Sequence, residues 1–127
     1  MGSRISKVDT VGIPSRNTEQ SRKFYVQTLE LRPDPRASNE FWVGDTCFAI
    51  WEPERFGAEF QPQRNGIALL HVDDVVAARA ELEAKGVEFT GETLDTGVCH
   101  MATFLDPDGN ELVLHKRYAT YADGTRP

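Results

Sequence analysis

Cysteine and long apolar runs are both scarce in this 127-residue chain. Its two cysteines, Cys47 and Cys99, lie far apart and belong to no CxxC or Cys/His spacing. They are interpreted as small buried apolar residues rather than as a zinc site or a catalytic pair. No apolar run approaches the roughly 18 residues that span a bilayer, and the N-terminal MGSRISKVDTVGI lacks the apolar core of a signal peptide. We therefore expect a cytoplasmic protein without a membrane partner.

Basic residues are also fewer than acidic ones: the chain has 14 lysines and arginines and 20 aspartates and glutamates, which gives a net charge of -6. A nucleic-acid-binding surface needs a basic stripe to displace the counterions of phosphate groups, so nucleic acid is not an expected partner. A hydrophobic fraction of 39% and this chain length suffice for one globular domain with its own core, but not for two ordinary domains. We expect a single domain over residues 1–127.

The first half of the chain follows the order strand, helix and three extended segments. Val8–Ile13 is rich in β-forming residues, and Asn17 with Gln20 three positions later is typical of a helix N-terminus. Of the three extended segments, the last two are predicted to form a hairpin over residues 41–51 that turns at Gly44.

The second half repeats this order. The segment GIALLHVDDVVAARAELEAKGVEF predicts a strand, a helix capped by Asp74 and ended by Gly86, and a further strand. TFLDPDGNELVLHK predicts two more strands around a turn in which Asp106 caps backbone amides and Gly109 has a positive φ. The repeat divides the chain into module one (about 6–54), a linker (about 55–64), module two (about 65–117) and a polar tail (118–127).

Three segments resemble those of the vicinal oxygen chelate superfamily, the group of glyoxalases, bleomycin-resistance proteins and extradiol dioxygenases. They are FYVQTLEL, HVDDVVAARAELEAKGVEF and FLDPDGNELVLHK, which occur in this order within residues 8–116. The resemblance implies an α+β fold of two tandem β-α-β-β-β modules whose curled mixed sheets surround a cavity. It also implies a homodimer, since many members complete the cavity between two chains.

The resemblance further implies a divalent metal held by His, Gln or Glu from the first and fourth strands of each module. The matching positions here are Thr10, Ala49, Ile67 and Val113. A threonine hydroxyl is a poor ligand beside imidazole or carboxylate, and the other three side chains are hydrocarbon. We therefore expect neither a metal nor another cofactor.

Without a metal, the predicted cavity is largely apolar and suits a planar or hydrophobic molecule. Strand alternation places Trp51 on the cavity face, where it is the expected stacking residue. Phe56 and Phe60 of the linker are expected to fold over the ligand as a lid. The predicted ligand-binding residues are Thr10, Ala49, Trp51, Phe56, Phe60, Ile67, Leu69, Met101, Thr103 and Val113.

The leading hypothesis is a metal-free binding protein, resembling the bleomycin-resistance branch, that sequesters an aromatic or hydrophobic molecule such as an antibiotic in a dimer cleft. The alternative is a lyase, isomerase or dioxygenase of the same superfamily. In that case His71, Glu111 and His115 are the candidate catalytic residues, as displaced metal ligands or as proton carriers. A subunit or regulator with an empty cavity is the third alternative.

Overall fold

In a computed structural model that describes residues 2–127, the chain forms two compact units, Met1–Gln61 and Pro62–Pro127. Each unit combines a four-stranded mixed sheet with an α-helix, in the order β-α-β-β-β. The predicted α+β class and the two repeated modules are confirmed. No helix in the part of the chain that the structure describes is long and apolar enough to cross a membrane.

The first unit contains four strands, an α-helix and two shorter helical turns. They are β1 (Thr10–Pro14), α1 (Thr18–Lys23), a π-helical turn (Phe24–Thr28), β2 (Arg32–Pro33), β3 (Glu40–Val43), β4 (Thr46–Trp51) and a 3-10 turn (Pro53–Phe56). The strand order is β1-β4-β3-β2, with β1 parallel to β4 and the other pairs antiparallel. The first strand begins and ends later than the predicted Val8–Ile13.

The start of α1 forms as the sequence predicts. The Asn17 side chain accepts a hydrogen bond from the Gln20 amide at 3.1 Å, which satisfies a donor left open at the helix N-terminus. After Lys23 the helix widens, so that the Leu29 amide donates to the Phe24 carbonyl. This turn carries Tyr25, which is fully buried.

The hairpin of β3 and β4 supplies much of the first core. Val43 pairs with Thr46, and Gly44 turns the chain with a φ of 59°, as predicted. Phe41 of β3 is fully buried and stacks on the ring of Tyr25 with 5.6 Å between centroids. The sheet is thereby anchored to the helical segment.

The second unit repeats the arrangement. Its elements are β5 (Leu69–His71), α2 (Val75–Ala84), β6 (Phe89–Asp95), β7 (Cys99–Leu105) and β8 (Glu111–Arg117). The strand order is β5-β8-β7-β6, and β5 runs parallel to β8. The Asp74 side chain accepts from the Ala77 amide and caps α2, and Gly86 has a φ of 91°, so both predicted helix signals are confirmed.

The turn between β7 and β8 is held by a buried polar cluster. Asp106 accepts hydrogen bonds from the amides of Asp108 and Asn110, each at 2.9 Å, and Gly109 has a φ of 86°. The predicted capping and glycine roles are confirmed. Asn110 is fully buried, and its amide group joins the Asp106 carboxylate to the Gln63 backbone, each at 2.8 Å. The start of the second unit is therefore fastened to β8.

Candidate ligand-binding site

In the first unit, the positions that bind metal in the resembled superfamily do not provide a donor set. Thr10 lies at the exposed start of β1 and offers a hydroxyl, and its partner across the sheet, Cys47, offers a thiol. Burial, and then the hydrogen bond to Glu40, raises the pKa of that thiol, so it stays protonated and is a poor ligand. Ala49, opposite Gly12, has only a methyl group to offer.

The second unit is no better suited to a metal. The Ile67 amide donates to the Glu111 carbonyl, which continues the edge of the sheet beside β8. Val113 is only 3% exposed and lies under Gly66, where an added Cβ would approach the valine Cγ2 to 3.2 Å. The superfamily's metal therefore does not fit these residues, because the available groups are hydrocarbon and one of them is covered.

The alternative set of His71, Glu111 and His115 is not assembled. His71 pairs with His115 across the parallel strands, but Glu111 lies four residues before His115 on β8, about 13 Å away at the usual rise of a strand. The Glu111 carboxylate instead accepts a hydrogen bond from the Asn65 amide at 2.9 Å. Among residues 2–127, no three His, Cys, Asp or Glu side chains are grouped so that they could hold a metal ion. The three side chains that the alternative requires are therefore not brought together in this chain.

The other predicted lining residues of the second unit share one face of its sheet. The register places Leu69, Val113 and Thr103 in one row across three strands. Met101 pairs with His115 in the next row. Leu69 is 52% exposed, so this face keeps an apolar surface at its edge strand. Contact of these residues with a ligand stays a prediction.

Two aromatic side chains lie exposed at the end of β4 in the first unit. Trp51 is 38% exposed and Phe56 is 77% exposed, and their rings meet edge-on with 6.0 Å between centroids. The indole lies beside Gly12, where a Cβ would be only 3.4 Å from Nε1. The small residue on β1 thus lets the indole lie close against the neighbouring strand.

The two tryptophans differ in their hydrogen bonding. The Trp42 Nε1–H donates to an Asp34 carboxylate oxygen at 3.1 Å. The Trp51 Nε1–H has no acceptor among the described residues, although an indole donor usually finds one when it is buried. Trp51 therefore combines an open ring surface with an available donor.

Beside this pair, the Glu52 carboxylate forms the centre of a polar network. One of its oxygens accepts from the Thr18 amide at 3.0 Å and from the Thr18 hydroxyl at 2.9 Å, and the other accepts from Arg55 Nε at 2.9 Å. The Thr18 amide, then Arg55, lowers the pKa of Glu52 to about 2. The carboxylate is therefore charged at neutral pH and holds the Arg55 side chain in place.

These groups surround a cleft of about 270 Å³ within the first unit, which we call the aromatic cleft. Asn39 fixes one wall by donating from Nδ2 to the Ile50 carbonyl at 3.0 Å. Trp51 and Phe56 are the only two members that were predicted from the sequence. The cleft is lined by Thr18, Ser38, Asn39, Ile50, Trp51, Glu52, Arg55 and Phe56.

The polar members of the cleft were missed because their contacts join distant parts of the chain. Thr18 and Glu52 are 34 positions apart, and no local pattern connects them. A weak signal exists for Arg55, since side chains three apart are aligned on a 3-10 turn and Pro53 favours the start of one. Phe60, expected as part of a lid, is not among the residues that line the cleft, and the Arg16 guanidinium lies over its ring at 4.7 Å.

Comparison with known proteins agrees with this architecture. Residues 7–114 match the model of the glyoxalase/bleomycin resistance protein/dioxygenase superfamily. No significant match was found among curated proteins.

Several solved structures have the same fold. TnmS3, an antibiotic binding protein from Streptomyces sp. CB03234, is 27% identical, with a TM-score of 0.71 over 91% of this chain and 99% of its own. A glyoxalase/bleomycin resistance protein from the same organism is 26% identical, with a TM-score of 0.63 over 86% and 100%. A superfamily member from Sphaerobacter thermophilus DSM 20745 is 24% identical, with a TM-score of 0.72 over 87% and 97%, and supports the fold alone. The chain therefore belongs to the glyoxalase/bleomycin resistance protein/dioxygenase superfamily.

Proposed function

We propose that this protein binds and sequesters an aromatic or hydrophobic small molecule, of the kind that includes antibiotics, without a metal. The observation that carries the proposal is the exposed pair of Trp51 and Phe56 that lines the aromatic cleft. The antibiotic-binding TnmS3, at 27% identity over 91% of this chain, supports the same class of ligand.

The dimensions of the cleft favour a small ring system. Ligand pockets usually measure about 300–1,000 Å³, and at about 270 Å³ this cleft suits one or two fused rings or one part of a larger molecule. Stacking on the indole is worth about 0.5–1.5 kcal/mol beyond the burial of apolar area. Binding would cover aromatic surface that the chain itself leaves exposed.

The side chains at the superfamily's metal positions support a metal-free mode of binding. Thr10 offers only a hydroxyl, and Val113 is packed under Gly66. The ligand would then be held by stacking and hydrogen bonds alone, with no bond made or broken. We expect the affinity to be the same before and after dialysis against a chelator.

The test is a fluorescence titration with a panel of aromatic antibiotics. The Trp42→Phe variant leaves Trp51 as the only indole, and we expect saturable quenching of its emission by at least one compound. Phe56→Ala should weaken that binding about tenfold, because it removes the edge contact and part of the apolar wall.

Two control variants accompany the titration. Trp51→Phe leaves only Trp42, whose hydrogen-bonded indole should report no binding. Phe60→Ala removes an aromatic ring that lies outside the cleft, so the affinity should not change. No saturable response across the panel, or equal binding by Phe56→Ala and the parent protein, would contradict the proposal.

Turnover separates sequestration from the enzymatic alternative. The bound compound should be recovered chemically unchanged by chromatography after long incubation with the protein. A new product formed in proportion to protein and time would make the protein an enzyme and would refute stoichiometric capture.

The homodimer and the cytoplasmic location are also part of the proposal. The superfamily resemblance motivates the dimer, and exposed apolar side chains such as Leu69 are compatible with a further contact surface. Light scattering of the purified protein should give about twice the 14.2 kDa mass of the chain. Cell fractionation should recover the protein with cytoplasmic markers.

A further inference from the structure

Two residues that line the aromatic cleft, Trp51 and Arg55, carry hydrogen-bond donors that the described residues leave unused. The Trp51 Nε1–H has no acceptor among residues 2–127. Arg55 uses only Nε, in its 2.9 Å bond to Glu52, and the described residues provide no acceptor for its Nη1 and Nη2 groups. A guanidinium has five N–H donors, so four of them remain to be satisfied by water or by a ligand.

The carboxylate among the residues that line the cleft, Glu52, already has hydrogen-bond partners. The Glu52 carboxylate receives the Thr18 amide, the Thr18 hydroxyl and Arg55 Nε, and it is only 18% exposed. A cationic ligand would have to compete with these three donors for the same two oxygens. The negative net charge of the chain therefore does not make this site a cation site, because its nearest carboxylate is neutralised by Arg55.

We infer that the ligand of the aromatic cleft carries an acceptor oxygen, in the form of a carboxylate, next to its ring system. The ring would lie against Trp51 and Phe56, and the carboxylate would take the Nη donors of Arg55 and the Nε1–H of Trp51. The inference rests on the proposed function and adds the chemical class of the ligand to it.

The guanidinium of Arg55 suits a carboxylate better than an isolated positive charge would. Arginine binds carboxylates through two parallel N–H···O bonds, which fix orientation as well as charge. Glu52 binds the guanidinium through Nε, and no hydrogen bond joins either Nη group to an acceptor among the described residues. Charge-assisted hydrogen bonds of this kind change affinity by about tenfold or more.

The test compares 2-naphthoate with 2-(aminomethyl)naphthalene, two probes with the same ring and opposite charge. Each is titrated into ¹⁵N-labelled protein while the Trp51 Nε1–H signal is followed, with Trp42→Phe used to assign it. We expect 2-naphthoate to shift this signal and to bind about tenfold more tightly than the amine.

Arg55→Gln should weaken 2-naphthoate about tenfold and leave the affinity for the amine within about twofold. The matched control is Arg36→Gln, an exposed arginine outside the cleft, which should change neither affinity. The amide spectrum of each variant shows whether it remains folded.

Equal affinities of the two probes, with the Trp51 signal shifting for both, would overturn the carboxylate inference and leave aromatic binding intact. Binding of neither probe, or an Arg55→Gln variant that binds 2-naphthoate normally, would also overturn it. The proposed function is tested separately, by the antibiotic panel, by the Phe56→Ala variant and by the recovery of unchanged ligand.

Discussion

Replacing the buried Asn110 should destabilise the second unit more than any surface substitution. Its side chain is fully buried, accepts from the Gln63 amide at 2.8 Å and donates to the Asp106 carboxylate at 2.8 Å. Asn110→Ala removes both bonds while leaving their partners in place. The bond to the charged acceptor is worth about 1.5–3 kcal/mol and the neutral one about 0.5–1.5 kcal/mol. We expect a loss of about 3 kcal/mol in the free energy of unfolding.

The assay is urea unfolding followed by circular dichroism, with Asn17→Ala as the comparison. Asn17 makes the same kind of amide contact at an exposed helix start, and its loss should cost about 1 kcal/mol. Asn110→Asp is a second variant of nearly the same shape that places two carboxylates at hydrogen-bond distance in a buried site. It should be less stable than Asn110→Ala at pH 7, and this difference should shrink in acid as one carboxylate gains a proton.

The reasoning would be refuted if Asn110→Ala lost no more stability than Asn17→Ala. Such a result would mean that water replaces the lost amide at no cost, and that the link between Gln63 and β8 is not what secures the start of the second unit.

Three further predictions concern single positions. Gly66→Ala should lower the free energy of unfolding by about 1–2 kcal/mol, because φ at this position is +73° and the new Cβ would lie 3.2 Å from Val113 Cγ2. Adding Val113→Ala should remove the steric part of this loss. A double-mutant cycle of urea unfolding measures the interaction between the two positions. Glu52→Gln should lower stability at neutral pH. The pKa of Glu52 is about 2 in the folded protein against an ordinary 4.5, so its ionised carboxylate contributes fully to stability above pH 4.5, and this contribution is lost as the pH falls through 2. The stabilities of the parent protein and of Glu52→Gln should therefore converge in acid. A difference that stays constant with pH would contradict this. Asp74→Ala removes the cap of α2 and should cost about 1 kcal/mol, whereas Asp73→Ala, one residue earlier, should cost little in the same thermal melts.

Much of the fold could be predicted because its signals are local. Asn17 and Asp74 each cap a helix by accepting a hydrogen bond from the amide three residues later. Gly44 lies in a two-residue hairpin turn, and Asp106 accepts from an amide four residues later. Each depends on neighbours that are already close in the chain. Boundaries were less accurate, since the first strand was expected over Val8–Ile13 but spans Thr10–Pro14.

The exposure of Trp51 could also be expected from the sequence, although its contact with a ligand stays a prediction. Alternation along β4 put Trp51 on the open face, and the structure leaves this side chain exposed there. The residue types at Thr10, Ala49, Ile67 and Val113 were enough to argue against metal ligation, because ligation depends on which donor atoms a side chain has.

The sequence by itself determined the repeated β-α-β-β-β order, the helix caps and turns, and the missing metal ligands, all of which depend on side-chain identity or near neighbours. Only the tertiary structure decided that Thr18 lies against Glu52, 34 positions away, and that Gly12 gives room to the Trp51 indole. These outcomes depend on strand register and on contacts across tens of residues, where the packing of the whole unit sets distances that no local pattern contains.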